Sequence, residues 1–226
     1  GETVKKVMEK GSTPAGMHVS IMVREILDFL QIRPGQVGLD ATLGYGGHTR
    51  AMLEQLKGEG HVTALDVDPI ESAKTLERLR GAGFGDELLT VKLTNFANLD
   101  QVAKEMGPFD FILADLGVSS MQIDDPSRGF SYKTDGPLDL RMNPGEGVSA
   151  AQRLKELTRE ELSGLLRENS AEPYAEEIAD KVFRTFSKGK AIDTTFAFRD
   201  VIREALYFLP AKEREEECKK DRKSVV

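Results

Sequence analysis

The 226 residues are enough for one large domain or two modest ones with a real core, and 39% hydrophobic with 31% charged is an ordinary globular balance. A formal net charge of −7 argues against a protein that coats nucleic acid through bulk charge, while leaving room for a local basic patch. No apolar run reaches the length of a membrane span, and the first residues lack a signal-peptide pattern, so neither membrane nor secretion is expected. The single cysteine, Cys218, forms no internal disulfide, which fits a reducing compartment, and three histidines are too scattered for a metal cluster.

In chain order, the apolar residues of Val19 to Leu30 recur at helical spacing until Pro34-Gly35 breaks the pattern. Val37 to Ala41 reads as a strand that runs into the glycine-rich turn Asp40-Ala-Thr-Leu-Gly-Tyr-Gly-Gly-His48. Thr49 to Leu56 follows as a helix, then His61 to Asp66 as a second strand. Asp68-Pro69 is an N-cap followed by proline at the first helical position, opening a helix to about Arg80. Leu88 to Leu93 is a third strand, Asn98 to Met106 a helix and Phe109 to Ala114 a fourth strand. Strand and helix alternating in this way predict a parallel sheet with covering helices, a Rossmann-like α/β fold.

After Asp115 the texture changes. Residues 117 to 147, rich in Gly, Pro, Ser and Asp, read as a long ordered loop. Helical patterns follow at about 149–156, 158–168, 172–187 and 194–208, with Thr158 and Glu161 spaced as a capping box. Residues 211 to 223 are nearly all charged and read as a solvated helix or a frayed tail. The expected division is an N-terminal Rossmann-like cofactor domain over 1–120 and a mostly helical domain over 121–226.

A turn at the carboxyl end of the first strand is where open α/β sheets bind ligands. Gly44, Gly46 and Gly47 permit positive φ and close backbone approach, and amides at the start of the next helix suit an anion. The dinucleotide fingerprint needs a third glycine where this chain has Thr49. Asp40 would repel a pyrophosphate but suits an ammonium, and Asp66 at the end of the second strand suits two ribose hydroxyls. The set favours S-adenosylmethionine over NAD; the turn alone, without its spaced acid and strand context, would leave a plain structural role ahead. Asp115, closing an apolar strand, is the candidate catalytic residue, a hydrogen-bond acceptor that orients an exocyclic amine for methylation. Phe130 and Tyr132 are candidates for stacking on an extruded base, or else pin the loop to a core.

These residues resemble a known family. The glycine turn, Ala64-Leu-Asp-Val-Asp-Pro69, Asp115-Leu-Gly-Val-Ser-Ser-Met-Gln122, Arg128-Gly-Phe-Ser131 and Asp135-Gly-Pro-Leu-Asp-Leu-Arg-Met142 are similar to the RsmH (MraW) family from about His18 onward. The resemblance implies a class I methyltransferase that uses S-adenosylmethionine to methylate N4 of a cytidine in the decoding region of small-subunit ribosomal RNA. Its partner would be that RNA or the assembling small subunit, in a bacterial cytoplasm or an organelle. It further implies that Gly46, Gly47 and the backbone of His48 line the methionine moiety. Asp66 would hold the ribose, Phe96 pack on adenine, and Asp115 with Gln122 complete the pocket. A helical domain inserted after the fourth strand would help hold RNA. Arg128, Lys133, Arg141, Arg153 and Lys155 are candidates for phosphate contacts, or an ordinary solvated surface. Ser20 replaces a usual proline, and Asn169-Ser170-Ala171-Glu172 replaces a common Tyr-Gly-Glu pattern. The family continues past Val226 into further strands, so this stretch is expected to carry the first four strands and the helical domain only. An unpaired sheet edge would then favour a homodimer or aggregation. A DNA amino-methyltransferase normally shows a Pro-Pro-aromatic corner after the catalytic acid, and here Leu116-Gly117-Val118 stands instead. A binding module without turnover is the alternative from another class.

Overall fold

Why the first half folds as it does follows from four short, largely apolar strands, the first three of them each followed by a helix. The computed structural model describes residues 20–213. Val19, the charged run from 214 and Cys218 lie outside the described residues. The described chain forms two compact units that divide between Ser119 and Ser120.

In the first unit, α1 (Val23–Leu30) precedes β1 (Val37–Asp40), α2 (Gly47–Leu56), β2 (His61–Asp66), α3 (Pro69–Gly81), β3 (Leu89–Leu93), α4 (Leu99–Met106) and β4 (Phe111–Leu113). All strand pairs are parallel, in the order β3-β2-β1-β4. The alternation of β2 sends Val62 and Ala64 to one face, with Met52, Leu53, Leu56 and Leu79. Leu65 goes to the other, with Leu39 and Val102. Asp68 caps α3 by accepting from the amides of Ile70 (2.9 Å) and Glu71 (3.2 Å), as its position before Pro69 predicts.

The fourth strand is shorter than its apolar run suggests, because only Phe111–Leu113 pairs with β1. The Phe111 ring lies directly over Gly38, where any Cβ would collide with it. Gly38→Ala should therefore force the ring off β1 and destabilise the first unit by about 1–3 kcal/mol, the usual cost of overpacking. A denaturant midpoint indistinguishable from the parent would refute this.

The second unit opens with α5 (Ser120–Asp124) and a 3-10 turn (Pro126–Arg128), and then carries α6 (Ala150–Glu156), α7 (Arg159–Ser170), α8 (Ala175–Ser187) and α9 (Thr195–Ala205). Its core joins Leu138, Leu154, Leu162, Leu166, Ile178, Phe198 and Ile202. The Thr158–Glu161 capping box forms in both directions.

The segment expected to be one long loop is in part helical and is tied down throughout. Gly129 has φ +76°, and a Cβ there would meet the Pro137 carbonyl oxygen; a Cβ on Gly136 would meet that of Pro126. The two family-like segments thus interlock by close backbone approach. Asp135 accepts from the Phe196 amide at the start of α9 (3.0 Å). That bond holds its carboxyl below the usual range. Among the described residues, no helix is long and apolar enough to cross a membrane.

Candidate active site

The register aligns the carboxyl ends of the strands. Asp40 pairs with Ala64 on β2 and with Leu113 on β4. Asp66 and Asp115 each lie two residues further along. Since β2 and β3 extend to one side of β1 and β4 lies on the other, this edge is the point where the strand order reverses. Open α/β sheets bind ligands there because the loops part at that position.

Gly44 (φ +50°) and Gly46 (φ +82°) take left-handed backbone, which glycine alone adopts cheaply. Gly46 also allows close packing: a Cβ would stand 2.6 Å from Thr75 Cγ2 on α3. Gly47 begins α2 and lies against Ser20, whose hydroxyl would have to turn away from any Cβ. Glycine at position 46 is thus favoured by backbone conformation and packing as much as by ligand approach. No side chain caps α2, so its first-turn amides are not taken by a capping oxygen.

Helix α3 clamps the turn from behind. Thr75 Oγ1 donates to the Gly44 carbonyl (2.7 Å), and Arg78 donates to the Tyr45 carbonyl (3.2 Å) with its guanidinium 4.1 Å from the Tyr45 ring centroid. Neither residue stands out in the sequence, because their role depends on α3 lying beside a turn some thirty positions earlier.

Asp40 departs from the expectation. It is 1% exposed; Oδ1 accepts from the Thr42 amide (3.0 Å) and Oδ2 from the Thr49 hydroxyl (2.5 Å). Burial raises its pKa against the lowering by those bonds. The carboxylate ties β1 to α2 beneath the turn and is not presented to a ligand ammonium. Asp66 closes β2 and holds the turn through both oxygens. Oδ2 accepts from the Gly44 amide and Oδ1 from the Asp68 amide, both at 2.9 Å, leaving further lone-pair directions on each oxygen. Burial raises its pKa, opposed by these amide bonds. Phe96 sits after β3 and is 48% exposed, so it is not core packing.

Asp115 has its amide held by Thr42 Oγ1 (2.7 Å) and a side chain 48% exposed at the open edge. The His48 imidazole, not only its backbone, faces it, with Nε2 3.4 Å from Asp115 Oδ2. That pairing was hidden in the sequence, where 67 positions separate the two residues.

In the second unit several expectations are corrected. Arg128 is 5% exposed and donates to the Arg141 and Met142 carbonyls (3.2 and 2.7 Å), so it closes the loop on itself and is not a surface phosphate contact. Arg141 is held by both oxygens of Asp139 (2.8 and 2.7 Å), bonds that lower the pKa of Asp139. Phe130 packs on the helical core, which supports its loop-pinning role over base stacking. Lys155 pairs with Asp193. Lys133 and Arg153 make no ion pair among the described residues. Tyr132 is half-buried, and Gln122 is buried on α5. Among the described residues, no group of three or more side chains suits a metal ion.

A parallel β3-β2-β1-β4 sheet, with a glycine turn after β1 and an acid closing β2, defines a Rossmann-like α/β fold. The chain belongs to the MraW methylase family, which it matches over residues 15–223. It is 63% identical over 219 residues to ribosomal RNA small subunit methyltransferase H 1 of Agathobacter rectalis, covering 97% of this chain and 63% of that protein. Ribosomal RNA small subunit methyltransferase H 2 of Alkaliphilus metalliredigens is 57% identical over 219 residues, with 97% of this chain and 63% of that protein covered. The chain therefore spans less than two-thirds of the length of these curated relatives.

Proposed function

We propose that the protein to which this chain belongs transfers a methyl group from S-adenosylmethionine to N4 of a cytidine in the decoding region of small-subunit ribosomal RNA. The observation that carries this reading is the meeting of three features at one sheet edge in a member of this family. They are the clamped glycine turn with uncapped α2 amides, the Asp66 carboxylate, and a half-exposed Asp115.

The residues present fit the cofactor. The spare lone pairs of Asp66 suit vicinal ribose hydroxyls, the exposed Phe96 ring suits adenine, and the α2 amides suit a carboxylate. Gly46, Gly47 and the His48 backbone would line the methionine moiety. S-adenosylmethionine supplies an electrophilic methyl on a sulfonium. Asp115 accepts a hydrogen bond from the cytosine amine and so orients a nitrogen whose lone pair is otherwise delocalised into the ring.

The helical unit is assigned to holding RNA. It carries a cavity of about 400 Å³ lined by Asp139, Arg141, Asn143, Arg153 and Asn169 among others. Arg153→Gln should weaken binding of a decoding-region RNA fragment and reduce the salt slope of log K by about one unit, as expected for one lost phosphate contact. An unchanged slope would remove Arg153 from the interface.

The test of the whole reading uses the full-length protein with radiolabelled S-adenosylmethionine, unmodified small subunits, and DNA for comparison. Label recovered as N4-methylcytidine from the RNA supports it. Binding of cofactor by calorimetry with no label on either nucleic acid would overturn it in favour of a binding module.

A further inference from the structure

We propose that His48 is a positioning residue for Asp115, its imidazole holding one carboxylate oxygen so that the other is presented to the substrate amine. This rests on the reading of Asp115 given above.

Asp115 stands at an open edge, where a carboxylate attached by two rotatable bonds would ordinarily turn freely. Its backbone does not: the Asp115 amide donates to Thr42 Oγ1 at 2.7 Å, and the Thr42 amide is itself bound by the buried Asp40. Main chain at the ends of β1 and β4 is thereby locked, and only the side-chain torsions of Asp115 remain to be set.

His48 is placed to set them. It is the second residue of α2 and only 8% exposed, and its Nε2 is buried without a hydrogen-bond partner. Buried polar atoms in native proteins are nearly always bonded, because an unsatisfied one forfeits its hydration for nothing. The nearest acid oxygen is Asp115 Oδ2, 3.4 Å away on a side chain that is 48% exposed. A shift of about half an ångström brings the pair to ordinary N–H···O distance. That shift is open to the exposed carboxylate and not to the enclosed ring. Cofactor and base arriving at this edge exclude water, which strengthens the contact.

In the neutral tautomer with its proton on Nε2, His48 donates to Oδ2. Oδ1 is then left to accept from the amine. A carboxylate so fixed meets the amine in the reactive geometry more often than a rotating one, and the gain appears in kcat and not in cofactor affinity. The two glycines that precede His48 fit the same purpose. Gly46 and Gly47 bring the start of α2 against α3 and Ser20, which fixes the His48 backbone.

The test compares His48→Leu, His48→Gln, Asp115→Ala and the double variant His48→Leu/Asp115→Ala in the full-length protein. Methyl transfer to unmodified small subunits is read alongside calorimetric binding of S-adenosylmethionine and the thermal midpoint. His48→Leu should lower kcat about 10- to 100-fold, in line with small misplacement of a catalytic group. Cofactor Kd should move by less than about threefold. His48→Gln, whose amide still donates, should recover most of the loss. The double variant should be no slower than Asp115→Ala alone, since His48 acts only through that carboxylate. Full additivity of the two losses, a loss that tracks cofactor Kd, or failure of Gln to outperform Leu would each overturn the proposal. If His48→Leu is fully active while Asp115→Ala is not, the positioning role alone fails. If Asp115→Ala is itself fully active, the reading of Asp115 fails and takes the role of His48 with it.

Discussion

Asp115→Ala is expected to lower kcat for methyl transfer by about 10²- to 10⁴-fold, the range typical of removing a positioned hydrogen-bonding or acid–base group. Cofactor Kd should also rise, because family resemblance places Asp115 in the cofactor pocket, but by less than kcat falls. The reason lies in where the carboxylate stands. It projects from the open edge beyond β4, its amide tied to Thr42, and none of the described turn hydrogen bonds depends on its side chain. Removing it leaves the glycine turn, its α3 clamp and Asp66 in place, so the fold and those parts of the cofactor site survive while the amine loses its acceptor. Asp115→Asn, which keeps the shape and one neutral acceptor, should fall between the two. A variant with parental kcat, or one whose loss is wholly in cofactor binding, would show that Asp115 does not touch the substrate.

Asp66→Ala should weaken S-adenosylmethionine by about 10²- to 10⁴-fold, because hydrogen bonds to a charged acceptor are worth about 1.5–3 kcal/mol each and two ribose hydroxyls would lose theirs. Part of this loss is indirect: the Gly44 and Asp68 amides also lose their acceptor, which loosens the turn. Asp66→Asn keeps one acceptor oxygen and should cost about tenfold. The pH dependence has a definite sign. Burial raises the Asp66 pKa in the fold, so the carboxylate is protonated at a higher pH than an ordinary aspartate at about 3.9. Affinity should therefore be full near neutrality and begin to fall on acidification before that range is reached. Calorimetry across the acid range in parent and Asp66→Asn checks this; a parental affinity flat down to the ordinary aspartate range would contradict it.

The two acids after β1 and β2 show how legible the site was. Both were picked out by spacing, and Asp66 stands where that spacing put it. Asp40 has the same residue type and the same strand-end position, yet it faces inward to Thr42 and Thr49. A sequence records that an acid ends a strand but not which way its side chain turns, since that depends on where the next helix's Thr49 comes to lie. The cations of the second unit repeat the lesson. Arg128 and Arg141 read as surface charge, and the fold directs one to carbonyls of its own loop and the other to Asp139.

What the sequence by itself determined is the alternation of four parallel strands with their helices, the capped start of α3, the capping box of α7, the glycine turn and the family. Those are local in origin: apolar periodicity, φ preferences and cap chemistry act over a few residues and so are written in order along the chain. Only the tertiary structure decided the strand order that brings β1 beside β4, the clamp of Thr75 and Arg78 on the turn, and the His48–Asp115 pair. Such contacts join residues tens of positions apart, and they exist because burying both faces of one sheet leaves its strand ends a single place to meet.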